Sequence, residues 1–442
     1  MESRYVVRSR FEWLFIPALA GLIGLYLAIF VYYVAATVIT VPYLDLLEWI
    51  LRYDQYWRAG DWWHYFWLPH NGHRLVWSLL LVLADIECCR GSTLPFLLFD
   101  SICFLLTIGG PLWVIWVADL AIQLKAILAA AVILLLAASW AVIYCSVPIE
   151  GDFVHTTGFF VLALVLLEGV GGEGSDAMIR RAAAIAAAVL AAFGVAGGLL
   201  APVVLLWVAW AGGLSRAWLI TIGLTAGILF AVYLPGMPTG QLDHLMDRTA
   251  LPKLADYYVR LLGLPWSHTS SLVWLGRLIG CMVLGASIVT LFRSRTLRRP
   301  VDRLERMGLA LLMFSLLITA VVAVGRWNWA PDAPVSIRYG IFAALAQAGL
   351  LLANTAWLNW VWQNGYRRPF EWATLVAAAA LLVQQVAAGQ AAVEVTTQYK
   401  ESYREFAAGQ GTGATARPVF LGSAAESQRV LGIIHDLGIY QN

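Results

Sequence analysis

The sequence predicts an all-α polytopic membrane protein with about eleven transmembrane helices, because apolar runs of roughly 20 residues, the length that crosses a bilayer, recur along it. Of its 442 residues, 61% are hydrophobic and only 13% are charged, which is too few charges for a soluble chain of this length. The net charge of +2 gives no reason to expect a nucleic-acid partner.

The first span follows a basic N-terminus, MESRYVVRSR, which is expected to stay in the cytoplasm. The apolar run behind it is too long for a signal peptide and lacks a cleavage site, so it is predicted to be a transmembrane helix. Hydropathy places the predicted spans at 12–36, 157–171, 179–196, 197–213, 216–235, 270–292, 307–325, 337–361 and 371–389.

Arginines in the connecting loops predict the orientation, because basic loops remain cytoplasmic. The polar segments between them then share the opposite face, together with the tail 391–442 that follows a transmembrane domain of residues 1–390. The arginines assigned to the cytoplasm are Arg180, Arg181, Arg216, Arg293, Arg295, Arg298, Arg299, Arg303, Arg306, Arg367 and Arg368. The segments assigned to the non-cytoplasmic face are 41–74, 146–156, 235–270 and 326–336.

The interval 74–146 holds three apolar pieces, but the predicted alternation needs only two crossings there. Lys125 is a good cytoplasmic marker between 94–117 and 126–145. The remaining piece, 75–90, is short and ends in Asp85, Glu87 and Arg90, so it is predicted not to cross the membrane.

The first non-cytoplasmic loop, 41–74, concentrates the candidate chemistry. Asp45, Glu48 and Arg52 recur at helical spacing, which predicts an amphipathic helix. The loop is rich in Trp and Tyr, including Trp49, and such residues favour a position flat on the bilayer surface. A carboxylate at that interface can act as a general base on an acceptor hydroxyl, so Asp45 and Glu48 are the candidate catalytic residues. The alternative is an ordinary solvated acidic face.

A dense polar cluster, His70, Asn71, His73 and Arg74, ends the same loop. Arginine can hold a phosphate with two hydrogen bonds, so Arg74 and His73 are candidate phosphate ligands. Asn71 is explained equally well as a helix cap. The two histidines could bind a divalent metal with Asp45, but two His and remote carboxylates do not establish a metal site.

Two later loops on the predicted same face add further candidates. Glu150, Asp152 and His155 form either a second acidic contribution to the site or a wet loop. Arg338, at the start of an apolar span, is a candidate phosphate ligand, whereas Arg326 is predicted to snorkel to the interface.

Ionisable residues inside the apolar segments suggest a different function. Arg277 needs a partner and is expected to pair with an acid across the bundle. Asp85, Asp100 and Asp119 could be proton-relay sites of a transporter, or helix ends and interior polar contacts.

The large loop 235–270 is predicted to contain a second surface helix. Leu254, Tyr257, Tyr258, Leu261 and Leu262 repeat on one helical face. A tight non-cytoplasmic turn is predicted inside the run 179–213, which precedes this loop. Its residues are Gly194, Gly197, Gly198 and Pro202.

The chain resembles the GT-C superfamily of polytopic membrane glycosyltransferases, and within it a bacterial group of mostly unassigned activity. That group has a P-[YF]-W-D-E-W motif after the first span, of which this chain keeps Pro42, Tyr43 and Asp45 and spreads the rest. The group's H-N-E-H-R is present as 70–74 with Gly72 in place of the acid, and its late S-R-Y corresponds to 336–339.

The resemblance implies a polyprenyl-phosphate-linked sugar as donor and inverting transfer without a nucleotide sugar at the site. Asp45 would be the base or the acceptor-orienting residue, and Arg338 a donor-phosphate ligand. The expected acceptor is a cell-envelope glycan or lipid on the non-cytoplasmic face, among the lipids of a bacterial inner membrane. A secondary transporter or lipid flippase, or an inactive relative, is the alternative, and no cofactor beyond a possible divalent metal is expected.

Overall fold

The computed structural model describes residues 10–42, 45–138, 151–168, 174–237, 250–267, 273–296, 302–326, 337–408 and 424–440. These residues are helical and contain no β-strand beyond one bridge pair, His70 with His73. The α-helices are α1 (Arg10–Thr37), α2 (Asp45–Arg52), α3 (Trp62–Trp67), α4 (Val76–Cys89), α5 (Leu94–Val117), α6 (Ile122–Leu136), α7 (Asp152–Glu168), α8 (Ser175–Ala191), α9 (Leu200–Ala211), α10 (Arg216–Tyr233), α11 (Ala250–Leu262), α12 (Val273–Thr296), α13 (Arg303–Arg326), α14 (Gly340–Ala353), α15 (Thr355–Gln363), α16 (Arg367–Ala407) and α17 (Ala424–Leu437).

Six of the described helices, α1, α5, α10, α12, α13 and α16, are long and apolar enough to cross a membrane. A seventh span forms if α14 and α15, which meet at a bend of 54°, are one broken crossing. Several helices of this kind define an integral membrane protein with an all-α fold, as the sequence predicted. The other predicted spans correspond to shorter helices, such as α7 and α9, and the total of about eleven crossings stays a prediction.

The antiparallel pair α13 and α14 is the centre of the bundle. A Cβ on Gly308 would lie 2.2 Å from the backbone nitrogen of Ala353, and one on Gly349 would lie 2.7 Å from that of Leu312. Only glycine allows the two backbones to approach so closely. In lipid the hydrophobic effect does not drive helices together, so close van der Waals packing between small residues stabilises such pairs.

Helices α1 and α16 run parallel, which fixes the relative position of the chain ends. Leu22 and Leu25 share a groove with Leu375 and Val376, and further along both helices a Cβ on Gly389 would collide with the ring of Tyr33. The end of α1, which leads into α2, and the later part of α16 therefore lie on the same side of the bundle. This agrees with the prediction that the first loop and the tail share one face.

Helix α16 has 41 residues and is about 60 Å long at 1.5 Å per residue. The hydrocarbon core is about 30 Å thick, so one end of α16 extends well beyond any single crossing. The predicted boundary at residue 390 lies inside this continuous helix, and the start of the tail is its direct extension.

A second apolar cluster, separate from the core of the bundle, joins the first loop to the C-terminal segment. Its buried members come from α2, α4, the end of α16 and α17, and they include Leu46, Trp49, Leu79, Phe406 and Ile433. The prediction that the Trp and Tyr residues of the first loop sit at headgroup level is therefore wrong for three of them, one in α2 and two in the segments that follow it. Trp49, Tyr53 and Tyr65 are buried in protein, because α4 and α17 cover the face that was assigned to the bilayer.

A buried carboxylate fastens the C-terminal end to α4. Asp85 is fully buried, accepting a hydrogen bond from the backbone N–H of Thr93 at 2.8 Å and another from the Tyr440 hydroxyl at 2.5 Å. Gly91 makes room for this contact, since a Cβ there would lie 2.9 Å from the Tyr440 nitrogen. Asp85 is thus an interior polar contact, one of the two interpretations that the sequence left open, and α4 packs along its length within this second cluster.

The predicted helix in the large loop is present as α11, and the predicted face is the buried one. Tyr257, Leu261 and Leu262 are buried. The Tyr258 hydroxyl donates to the carbonyl of Leu316 at 3.3 Å, and the Gln347 amide donates to that of Leu262 at 3.0 Å. Helix α11 therefore packs against the spanning helices α13 and α14.

We expect Tyr440→Phe to destabilise the protein. The substitution removes one donor from a buried carboxylate, a loss that typically costs about 1–3 kcal/mol, and thermal unfolding of the detergent-purified protein should show a lower Tm. Tyr366→Phe is the matched control, because that side chain is exposed. Equal Tm values for the two variants would contradict the assignment of Tyr440 as a fastening contact.

Candidate functional site

Helix α2 presents its two acids on one side because its apolar residues are buried on the other. Leu46, Leu47, Trp49 and Ile50 are buried, whereas the Asp45 and Glu48 side chains are 29% and 59% exposed. Both acids lie in the first turn, where the helix dipole favours negative charge. The predicted amphipathic helix is confirmed, with its carboxylates accessible.

Arg52, at the end of α2, positions the polar turn that faces these acids. Its guanidinium donates to the carbonyls of His64 at 2.9 Å and Leu68 at 2.8 Å, which holds the chain after α3 beside α2. Arg52 shares the helix with the two acids, as predicted, but its hydrogen bonds go to backbone carbonyls and not to Asp45 or Glu48.

The segment His70–His73 is a tight turn with Asn71 and Gly72 as its two central residues, a sequence that favours this kind of turn. The backbone N–H of each histidine donates to the carbonyl of the other at 2.8 Å. Asn71 and Gly72 have φ values of 49° and 79°, a conformation that glycine adopts without strain. This explains why glycine occupies the position where the resembling group has an acid, and the alternative role of Asn71 as a helix cap is not needed.

His70 bridges the two candidate catalytic acids. Its Nε2 lies 3.2 Å from Asp45 Oδ2, and its Nδ1 lies 3.3 Å from Glu48 Oε1. Burial lowers the pKa of His70, but the hydrogen bonds and negative charges of Asp45 and Glu48 outweigh burial and raise it to about 9. At neutral pH the ring is therefore protonated, and both of its nitrogens can donate to carboxylates.

Among the described residues, the same three side chains could together hold a metal ion. One ligand atom from each of Asp45, Glu48 and His70 lies within 4.8 Å of the others. Two carboxylates and one imidazole suit a divalent cation, although binding would have to displace the proton of His70. The sequence instead grouped both histidines with Asp45, and His73 does not join this cluster.

His73 is half-buried and uncharged. Its Nδ1 accepts the backbone N–H of Ala196 at 3.1 Å, so the remaining proton is on Nε2. Burial, and after it the positive charges of Arg326, His70 and Arg338, lowers the pKa of His73 to about 3. At physiological pH His73 can therefore offer a phosphate only a neutral N–H, and its role as a phosphate ligand stays a prediction.

Arg74 is a structural residue rather than a phosphate ligand. It is 2% exposed, and its guanidinium donates to the carbonyls of Tyr233, Trp67 and Pro235. It also stacks on the Trp67 ring, with 4.6 Å between the guanidinium carbon and the ring centroid. These contacts occupy all three guanidinium nitrogens and tie the first loop to the end of α10.

Arg338 lies in the short helical turn Ile337–Tyr339 at the entry to α14. Its guanidinium carbon is 5.2 Å from the centroid of the Tyr339 ring. The charges of Arg338 and Arg326 both act on His73, and both also act on Tyr257 of α11. The tertiary fold therefore brings these two arginines into the neighbourhood of the His70–His73 turn.

Asp152 and His155, at the start of α7, belong to a buried network. Glu150 lies outside the described residues. Asp152 accepts a hydrogen bond from the Ser78 hydroxyl, and His155 Nε2 lies 2.5 Å from Asp100 Oδ1. Asp152 is 3% exposed and His155 is fully buried, so the interpretation as a wet loop is wrong for these two residues, and Asp100 is an interior polar contact. A second acidic contribution to the site stays a prediction.

The other singled-out ionisable groups have local partners or lie at helix ends. Arg277 pairs with Asp256 at 2.7 Å, which confirms the expectation that it contacts an acid. Asp119 is exposed in the short connection between α5 and α6.

Sequence reasoning missed the residues that support the turn from elsewhere in the chain. The Tyr233 hydroxyl accepts a hydrogen bond from the Arg74 backbone N–H at 2.9 Å. The pairing of His155 with Asp100 could have been anticipated, since an ionisable group in an apolar segment requires a partner. The contacts of Ala196 and Tyr233 leave no comparable signal in the sequence, because a backbone N–H and a tyrosine are present in many loops.

Fold and site together define an integral membrane protein with an acid and histidine cluster beside basic residues. No protein-family model matches the chain, no curated protein matches it, and no solved structure matches it.

We expect His70 to make stability depend on pH between 6.5 and about 9. Its pKa is higher in the folded state, so its contribution is fully present below pH 6.5 and is lost as the pH rises through about 9. The Tm of the metal-free wild-type protein should therefore fall across this window by more than that of His70→Gln. His435→Gln, at an exposed histidine, should behave like wild type. Parallel curves for wild type and His70→Gln would refute the ion-pair assignment.

Proposed function

We propose that the chain is a membrane glycosyltransferase that moves a sugar from a polyprenyl-phosphate-linked donor to a glycan or lipid acceptor. The transfer would take place on the non-cytoplasmic side of a bacterial inner membrane, in cell-envelope assembly. The first loop and the C-terminal segment would then form the extramembrane face of a GT-C-like transmembrane domain of about eleven crossings, in which each further crossing needs roughly 20 apolar residues.

The observation that carries the proposal is the position of the His70–His73 turn between opposite charges. On one side His70 contacts the carboxylates of Asp45 and Glu48. On the other, the charges of Arg326 and Arg338 act on His73. Transfer from a lipid phosphate needs both a base for the acceptor hydroxyl and cations for the phosphate, and this turn has both as neighbours.

In this proposal Asp45 accepts the proton of the acceptor hydroxyl as the new glycosidic bond forms. Protonated His70 orients Asp45 and keeps the two carboxylates close despite their like charges. Arg338, with Arg326, binds the phosphate, which leaves with the electrons of the broken sugar–phosphate bond. His73 can add one neutral hydrogen bond from Nε2. Arg74 holds the loop in place.

The arrangement gives less support to a transporter or flippase. Such proteins keep ionisable groups near the bilayer midplane. Asp85 instead accepts hydrogen bonds from Thr93 and Tyr440, Asp119 is exposed at a helix end, and Arg277 is half-exposed and paired with Asp256. An inactive relative would keep the same fold, so activity measurements on variants decide between it and an enzyme.

We expect Asp45→Asn to lower the transfer rate by about 10²- to 10⁴-fold, the usual contribution of a general base. The amide preserves the size of the side chain but removes one of the two carboxylates that pair with His70, so Tm should fall modestly, and rates are compared well below the Tm of both proteins. The measurement is transfer of labelled sugar from a defined polyprenyl-phosphate sugar by purified wild type and variant. Asp119→Asn, at an exposed helix-end acid, is the control and should retain the wild-type rate. An Asp45→Asn protein with full activity would remove Asp45 from the mechanism.

We expect Arg338→Lys to raise KM for the donor more than it lowers kcat. Lysine keeps the positive charge but lacks the planar pair of donors that grips a phosphate, and a loss of ground-state binding appears mainly in KM. Initial rates against donor concentration give both constants. Arg216→Lys, at the exposed start of α10, should leave both unchanged. An unaltered KM in Arg338→Lys would place the donor phosphate elsewhere.

A further inference from the structure

A cavity of about 1060 Å³ lies between the end of α16, helix α17 and the chain just before α2. It is separate from the His70–His73 turn, and its wall includes Lys400, Arg404 and His435. Ligand pockets of drug-sized molecules span about 300–1,000 Å³, so the space is much larger than a single inorganic anion requires. The cavity is therefore large enough for an organic ligand.

The charged residues of α16 that face the cavity are cations. Helix α16 carries alternating charges here, Lys400, Glu401, Arg404 and Glu405, but only the two cations line the cavity. None of the described residues in its wall is acidic. Lys400 and Arg404 are four residues apart on one helix face, where like charges repel each other. Among the described residues neither cation has an ion-pair partner, so an anion in the cavity would relieve this repulsion.

The rest of the wall is suited to a ligand with apolar faces. Tyr403, Leu431, Ile434 and Tyr440 line it, and Tyr440 is held in place by its hydrogen bond to Asp85. A sugar ring has apolar faces and a polar edge, and it fits a wall of tyrosine and aliphatic side chains with cations beside them. Gln428 adds an amide that can donate and accept hydrogen bonds.

The cavity lies beyond the end of α1. Its wall includes Thr40, close behind the last residue of α1, Thr37. Lys400, in the same wall, lies about 50 Å along the axis of α16 from Arg367 at 1.5 Å per residue, whereas the hydrocarbon core is about 30 Å thick. If α1 crosses the bilayer, the cavity is on its aqueous side, where a water-soluble ligand can reach it.

We propose that this cavity binds a carboxylated saccharide, an acidic segment of the glycan that serves as acceptor. The cations Lys400 and Arg404 bind its carboxylates, and the tyrosine and aliphatic wall contacts its rings. The choice of a saccharide rests on the proposed glycosyltransferase function, whereas the anionic character rests on the cavity itself.

The test is direct binding of tetragalacturonate to the purified full-length protein, with no donor present. Maltotetraose provides a neutral saccharide of equal length, and inorganic phosphate provides a simple anion. We expect tetragalacturonate to bind, more weakly as ionic strength rises, and the other two probes to bind at least about tenfold more weakly. Lys400→Gln/Arg404→Gln should weaken tetragalacturonate binding on the order of tenfold to hundredfold, as expected for losing charge-assisted hydrogen bonds.

Glu401→Gln/Glu405→Gln is the matched control, because it removes two charges from the same helix turns outside the cavity wall. It should bind tetragalacturonate at least as tightly as wild type, and Tm values verify that both double variants are folded. Absence of binding to wild type, equal binding of maltotetraose or phosphate, or unchanged binding by Lys400→Gln/Arg404→Gln would each overturn the proposal. Because no transfer is measured, a fully active Asp45→Asn would refute the role of Asp45 and leave this result intact.

Discussion

The candidate site depends on the burial of one face of α2 by protein. A helix of eight residues is too short to be stable alone in water, so its position is set by what packs against it. Leu46, Leu47 and Trp49 insert into a cluster that α4 and α17 complete from distant parts of the chain. With that face covered, Asp45 and Glu48 can only point away from the cluster, and they meet His70. The C-terminal segment is therefore part of the structure that positions the candidate base.

Two histidines separated by a two-residue turn have opposite protonation behaviour. The carboxylates beside His70 raise its pKa to about 9, whereas burial and neighbouring cations lower that of His73 to about 3. The Asn-Gly turn makes this possible, because it reverses the chain and directs each ring to a different environment. These four residues thus separate negative from positive surroundings. Such an arrangement suits a transfer reaction in which a proton is accepted on one side and a phosphate is bound on the other.

Elsewhere in the bundle, ionisable side chains are paired locally. The Arg306 guanidinium contacts both carboxylate oxygens of Glu168 at 2.5 and 2.6 Å, and Asp100 contacts His155 at 2.5 Å. Charges in or near a bilayer are costly unless they are paired, so these contacts serve the stability of the helices that carry them. The groups around the His70–His73 turn differ because Asp45 and Glu48 remain partly accessible.

The sequence by itself determined the class of protein and the local elements. Apolar runs require helices in lipid, since every backbone group must be paired within the segment, and the periodicity of 45–52 and 254–262 was sufficient to predict α2 and α11. What only the tertiary structure decided was the partner of each polar residue. Arg74 and His73 are residue types that often bind phosphate. Tyr233 and Ala196 lie more than a hundred residues away in the chain, yet Tyr233 engages the Arg74 guanidinium and Ala196 donates to Nδ1 of His73. Tryptophan is a residue type that often lies at headgroup level, but Trp49 is buried in the cluster that α17 helps to form. Local periodicity fixes which face of a helix is apolar, and it does not determine whether lipid or protein will cover that face.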